Sequence, residues 1–141
     1  MIPLQLISIF DPNQLELLVC GLPSIDFEDL RQNTIYHGYK SNDLVIQYFW
    51  NTLSTFSKHD KSLFLQYVTG SSQVPLDGFK SLHGNGGPKL FNIHKAYKKS
   101  LLPTSHTCFN QLDLPEYDTE DELRDKLLIA IREGFEGFGF G

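Results

Sequence analysis

The feature that most constrains this chain is a change of texture at Gly70. Before it, from Asn42 to Phe56, Val45, Phe49, Leu53 and Phe56 recur every three or four residues, with Tyr48 and Trp50 widening the stripe. That period predicts an amphipathic helix over residues 42–56. Ser57-Lys58-His59-Asp60 has the spacing of a capping box with Asp in place of Glu, and it leads into Leu63, Phe64, Tyr67 and Val68 before Gly70. A serine side chain at that position satisfies a free amide of the first turn, and glycine tolerates the left-handed stop, so two antiparallel helices joined by a tight turn are expected. After Gly70, Pro75, Gly78 and the stretch Gly84-Asn85-Gly86-Gly87-Pro88 punctuate short runs such as Lys89–Ile93. Strands and loops replace helices there, with Ser105–Asp113 read as a further strand. Thr119-Glu120-Asp121-Glu122 is a second capping box, opening a helix with Leu123, Leu127, Ala130 and Ile131 on one side and ended by Gly134. Helices mostly preceding strands argue an α+β or α/β fold.

The front of the chain reads less regularly. Asp11-Pro12 is an N-cap followed by a first-turn proline, so residues 12–20 are expected as a short helix with Leu15, Leu18 and Val19 on one face and Gly21 as its stop. Pro23 lacks an amide proton and holds Leu22 extended, which marks a hinge or domain boundary. Ser24 or Asp26 then caps a second short helix to about Arg31, and residues 33–40 read as loop. The opening Met1–Phe10 is apolar but interrupted by Pro3, Gln5 and Ser8, has no basic start and is too short to span a bilayer. So apolar a run needs covering, which raises the expectation that the chain was cut from something larger. At 141 residues it makes one core, and its net charge of -5 lacks the basic surplus that drives binding to nucleic acid. Two cysteines make no disulfide scaffold, and reduced thiols in a cytosolic or nuclear setting are expected.

Chemistry concentrates around Cys108. In an extended segment side chains two apart face the same way, so His106 and Cys108 are expected as neighbours, an imidazole beside a thiol favouring the nucleophilic thiolate. A cysteine among apolar residues is equally read as inert core, and His106 as a structural donor. Cys20 continues an apolar helix face, which packing explains. His83, His94, His106 and Cys108 do not fall into the tight pairs of a zinc site, so no metal and no cofactor are expected. The stretch Gly84–Pro88 lacks the Lys and Ser/Thr of a phosphate loop and reads as a surface turn. Lys95, Lys98 and Lys99, with Tyr97, read as a solvated basic loop. Phe135, Phe138 and Phe140 on a glycine-rich tail call for a docking contact, within the core or with a partner domain.

The stretch Leu102-Pro103-Thr104-Ser105-His106-Thr107-Cys108-Phe109-Asn110-Gln111-Leu112-Asp113-Leu114-Pro115-Glu116-Tyr117 resembles the active-site segment of HECT-type ubiquitin ligases. Phe64–Gly70 with Val74-Pro75-Leu76, the pair Phe49-Trp50, and Leu127–Ile131 through Glu136–Gly139 are similar to the family in the same order, so the resemblance covers essentially the whole chain. Leu6–Phe10 and Tyr36-His37 lean towards its giant HUWE-like and TOM-like branch.

The resemblance implies an α+β lobe with helices packed on a small mixed sheet. It makes residues 26–141 the C-terminal lobe of the catalytic domain, residues 21–25 the hinge between lobes, and residues 1–20 a remnant of the N-terminal lobe. It carries the catalytic cysteine to Cys108, which would take ubiquitin from a conjugating enzyme as a thioester and pass it to a substrate lysine. Thr104, Ser105, His106, Thr107 and Phe109 would support that loop, and Phe138 would dock between the lobes during transfer. Ubiquitin, a conjugating enzyme and a protein substrate are the implied partners, with no membrane and no nucleic acid. The alternative is a non-catalytic fragment that binds ubiquitin or docks a lobe; a papain-like hydrolase is disfavoured because no signature for its distant histidine appears.

Overall fold

The computed structural model describes residues 25–97 and 102–136. The helix expected over 12–20 and most of the expected hinge therefore lie outside the described residues. Asp26 caps α1 (Phe27–Gln32), its carboxylate accepting from the amides of Glu28 and Asp29 at 3.0 and 3.1 Å. The loop expected over 33–40 contains a strand, β1 (Ile35–His37), paired in parallel with residues 92–94. Three residues at a sheet edge carry too short an alternation to read, and the partner that makes them a strand is remote in sequence.

The two central helices stand where the period places them. α2 spans Leu44–Ser54, two residues short of expectation at each end: at its start the Asp43 carboxylate takes the Lys40 amide (2.8 Å) in the preceding turn, and at its end Thr55 is the cap, its hydroxyl donating to the Thr52 carbonyl (2.7 Å). α3 spans Lys58–Thr69; Ser57 Oγ accepts from the Asp60 amide at 3.1 Å, and Gly70 closes the helix at φ 84°. Phe49 of α2 meets Phe64 of α3 at 5.8 Å between ring centroids. Close backbone approach, however, is made by each helix to the last helix rather than along an α2–α3 hairpin.

In the second half a 3-10 turn (Phe79–Ser81) leads to a two-stranded hairpin, β2 (His83–Gly84) with β3 (Gly87–Pro88). Then come β4 (Asn92–Ala96), β5 (Thr104–His106), a second 3-10 turn (Thr107–Phe109), β6 (Gln111–Pro115) and α4 (Glu120–Glu136). The single strand expected over Ser105–Asp113 is thus two antiparallel strands around a turn. Thr119 caps α4 through the Glu122 amide at 3.1 Å, and three acids occupy its first turn, where the helix dipole favours them. Gly134 does not end α4, which runs on to Glu136; one glycine costs a helix only about 1 kcal/mol.

The main sheet has the order β1-β4-β6-β5, parallel except for β5 against β6. Ile93, Leu112 and Leu114 turn into the core, while His37, His94, Asp113 and Thr104, neighbours in register, cross the other face. The helices cover the inner face as expected: Phe49, Phe64 and Phe91 are fully buried within 6.4 Å of one another, and Leu123, Leu127, Ala130 and Ile131 bury one side of α4. Trp50 packs edge-on against Phe49 at 4.9 Å and donates Nε1–H to the Tyr36 hydroxyl at 3.0 Å, joining α2 to β1. Arg132 of α4 grips the nearly buried Asp60 carboxylate with two bonds, 3.1 and 2.8 Å. Tyr67 is partly buried and lies against this core. Among the described residues no helix is long and apolar enough to cross a membrane.

Candidate active site

Cys108 sits at the crest of the 3-10 turn between β5 and β6 as an exposed, free thiol. The turn closes because Asn110 adopts φ 51°, the only positive value among the described non-glycine residues; asparagine tolerates this left-handed region better than other side-chain-bearing residues. Two buried amides hold the turn in place. Asn110 donates Nδ2–H to the carbonyls of His83 (2.9 Å) and Lys89 (2.8 Å), and Asn92 donates to those of Leu90 (2.9 Å) and Phe109 (2.8 Å). The Cys108 carbonyl in turn accepts from the Asn85 amide at 2.7 Å.

The end of α3 forms the other wall. Gly70 comes up against Thr107, and the Tyr67 hydroxyl donates to the Pro103 carbonyl at 2.8 Å, tying down the approach to β5. Burial holds the Tyr67 phenol above its ordinary pKa, with a hydrogen bond to Ser105 acting against it. Leu102 and Phe109 stand exposed in the same segment.

The expected pairing of His106 with Cys108 is not what the turn provides. Extended geometry stops at His106, so the alternation that would align the two side chains is broken. His106 instead donates Nε2–H to Asp113 Oδ2 at 2.9 Å; that carboxylate also accepts from Thr104 (3.3 Å) and Gln111 (2.7 Å). Asp113 thus ties β5 to β6 directly below the turn. His94 stacks on His37 at 4.4 Å, and its pKa is lowered, first by burial and then by His37.

Thr104, Ser105, His106, Thr107 and Phe109 are therefore all parts of the cysteine turn or the strand leading to it. Cys20, Phe138, Lys98 and Lys99 lie outside the described residues. Lys95 is not in a loop: it belongs to β4, pairs with Glu116 at 3.2 Å and lies over Tyr39 and Tyr97. Gly84–Pro88 is a turn as expected, but it abuts Cys108 rather than standing free. Asn92, Asn110, Asp113 and Tyr67 were not singled out as site residues. A polar residue inside the apolar run Leu90-Phe91-Asn92-Ile93 was the one available signal for Asn92.

The HECT-domain (ubiquitin-transferase) family model matches residues 1–141. The E3 ubiquitin-protein ligase UPL1 of Arabidopsis thaliana is 55% identical over 141 residues, which is 99% of this chain and 4% of that protein. The E3 ubiquitin-protein ligase HUWE1 of Mus musculus is 53% identical over 139 residues, 98% of this chain and 3% of its own length. The E3 ubiquitin-protein ligase TOM1-like of Neurospora crassa is 52% identical over 140 residues, 99% and 3%. Relatives of the HUWE and TOM types are thus among those the chain resembles, and it spans only 3–4% of these three proteins' lengths. Matched by the family model along its whole length, with a free thiol raised on a braced turn, the chain belongs to the HECT-domain (ubiquitin-transferase) family.

Proposed function

We propose that this chain is a ubiquitin-transferring catalytic lobe in which Cys108 is the acceptor nucleophile. Residues 26–141 form the lobe, 21–25 its hinge and 1–20 a remnant of the lobe before it. The observation that carries this reading is the exposed, free thiol at the crest of a turn braced on both sides, in a chain of this family. A buried cysteine would be inert; one presented to solvent on a fixed backbone can meet a large protein thioester.

The chemistry is thiol exchange at a carbonyl. The Cys108 thiolate adds to the thioester carbon of ubiquitin held by a conjugating enzyme; a new C–S bond forms, the old one breaks, and the enzyme's thiolate leaves. A substrate lysine then attacks the same carbon after losing a proton from an ammonium whose free pKa is about 10.4, and the Cys108 thiolate departs. Thr104, Ser105, His106, Thr107 and Phe109 shape the loop, with Asp113 fixing His106, and Phe138 serves the transfer step.

The test is intact-mass analysis after mixing the chain with a ubiquitin-charged conjugating enzyme. A thiol-reducible adduct is expected in wild type and in Cys20→Ala and absent in Cys108→Ala. An adduct that persists in Cys108→Ala refutes the assignment. Ubiquitin binding by chemical-shift perturbation with no covalent product, even with the preceding lobe restored, would favour the non-catalytic reading.

A further inference from the structure

We propose that the β2–β3 hairpin is a positioning element for the acceptor thiol, acting through Gly84, Asn85 and Asn110; this rests on Cys108 being the acceptor. Three observations converge on it. At Gly84 a Cβ would stand 2.7 Å from the Cys108 carbonyl oxygen and 2.9 Å from Lys89 Cβ. Gly84 is not among the glycines with positive φ, so glycine is needed there for close approach and not for backbone conformation. The adjacent Asn85 amide donates to the same carbonyl at 2.7 Å, so the peptide leaving Cys108 is held by the hairpin while the residue stays exposed.

Asn110 completes the clamp from the other direction. Its amide nitrogen bridges the His83 carbonyl in β2 and the Lys89 carbonyl just beyond β3, locking both arms of the hairpin to the residue that ends the cysteine turn. Its Oδ1 is buried with no hydrogen-bond partner. An interior oxygen left unpaired is costly, and here it accompanies the two N–H bonds that an amide alone supplies at this left-handed position. The hairpin meets Cys108 at its backbone carbonyl and leaves the residue exposed, which is what fixing a nucleophile's backbone without covering it requires. Attack on a thioester carbon depends steeply on alignment, about 10²-fold for 1 Å of misplacement.

The experiment follows thiol-reducible adduct formation from a ubiquitin thioester with a small thiol leaving group, which removes any need for a delivering lobe. Gly84→Ala puts a Cβ 2.7 Å from the Cys108 carbonyl oxygen, so hairpin and cysteine turn must part by several tenths of an ångström to reach an ordinary contact of 3.4 Å or more, and roughly tenfold loss of the saturating rate is expected, with the half-saturating concentration unchanged. Asn110→Gly permits the same left-handed backbone and removes the side chain that bridges the hairpin; it is expected to slow transfer in the same way. Alkylation of Cys108 by iodoacetamide, which needs no such alignment, is expected at the wild-type rate in both. Wild-type transfer in the two variants overturns the proposal, as does a loss confined to the half-saturating concentration or a matching loss of alkylation. Should Gly84→Ala melt below the assay temperature, Asn110→Gly decides. A Cys108→Ala control that still gains the adduct would instead refute the acceptor assignment, so the two failures are told apart.

Discussion

Replacing Trp50 with alanine tests the core and the edge of the sheet together. The indole is 5% exposed, packs edge-on against Phe49 and Phe91 at 4.9 and 6.4 Å, and donates to the Tyr36 hydroxyl at 3.0 Å. Removing a large buried aromatic costs about 3–5 kcal/mol, from lost transfer energy and the cavity left behind. With an unfolding entropy of about 2.1 cal/mol/K per residue, 141 residues lose roughly 3 °C of Tm per kcal/mol, so Tm should fall by about 10–17 °C. Trp50→Phe keeps most of the ring packing and loses the N–H, a bond worth about 1 kcal/mol, so it should fall between wild type and Trp50→Ala. Calorimetry of the three proteins gives the order directly. A Trp50→Ala Tm at the wild-type value, or Trp50→Phe as damaging as Trp50→Ala, would refute the packing argument.

Two further perturbations probe other joints. Arg132→Met leaves the nearly buried Asp60 carboxylate without its two charged donors; because the guanidinium is more than half exposed, a loss of about 1–2 kcal/mol is expected, at the low end for an unpaired buried charge. A urea midpoint that does not move would show that the pair contributes nothing. His94 binds its proton less readily in the fold than in the unfolded chain, through burial and the facing His37, with Asp113 opposing and Lys89 and His106 adding. Its contribution is therefore complete above the unfolded histidine value of about 6.5 and is lost as pH falls through the lower folded value. Stability should drop as pH falls from about 6.5 towards that lower value, and His94→Gln should flatten the drop; an identical pH profile in the variant would contradict it.

What could be read without the structure was what is encoded locally. Ser57, Thr119 and Asp26 cap their helices with their own side chains, Gly70 stops α3, and the apolar faces of α2 and α4 repeat at helical spacing, so each signal lies within a few residues of what it specifies. The strands are two to five residues long, and β1 takes its identity from a partner more than fifty residues away, so its own sequence reads as loop. The turn at Cys108 is hidden for a related reason: Thr107-Cys108-Phe109 contains no Gly or Pro, and its left-handed residue is an asparagine. Cys108 is legible through the residues around it, whereas its expected alignment with His106 rests on an alternation that the turn breaks. Its clamp was illegible because Gly84 and Asn85 meet it only after the chain has folded back.

The strand order also dictates when this site comes into being. β6, which carries the chain directly out of the cysteine turn, lies between β4 and β5, while residue 35 pairs with residue 92. As the chain leaves the ribosome, β1 waits through two helices and a hairpin for its neighbour, and the sheet has no interior strand until residue 115 is made. α4, which closes the core over α2 and α3, follows later still. Non-local pairing of this kind is slow relative to helix formation. The helices are therefore assembled around an unfinished sheet, and the thiol acquires its fixed bearing only near the end of folding, so a chain stopped short of α4 would carry the cysteine without the geometry that directs it.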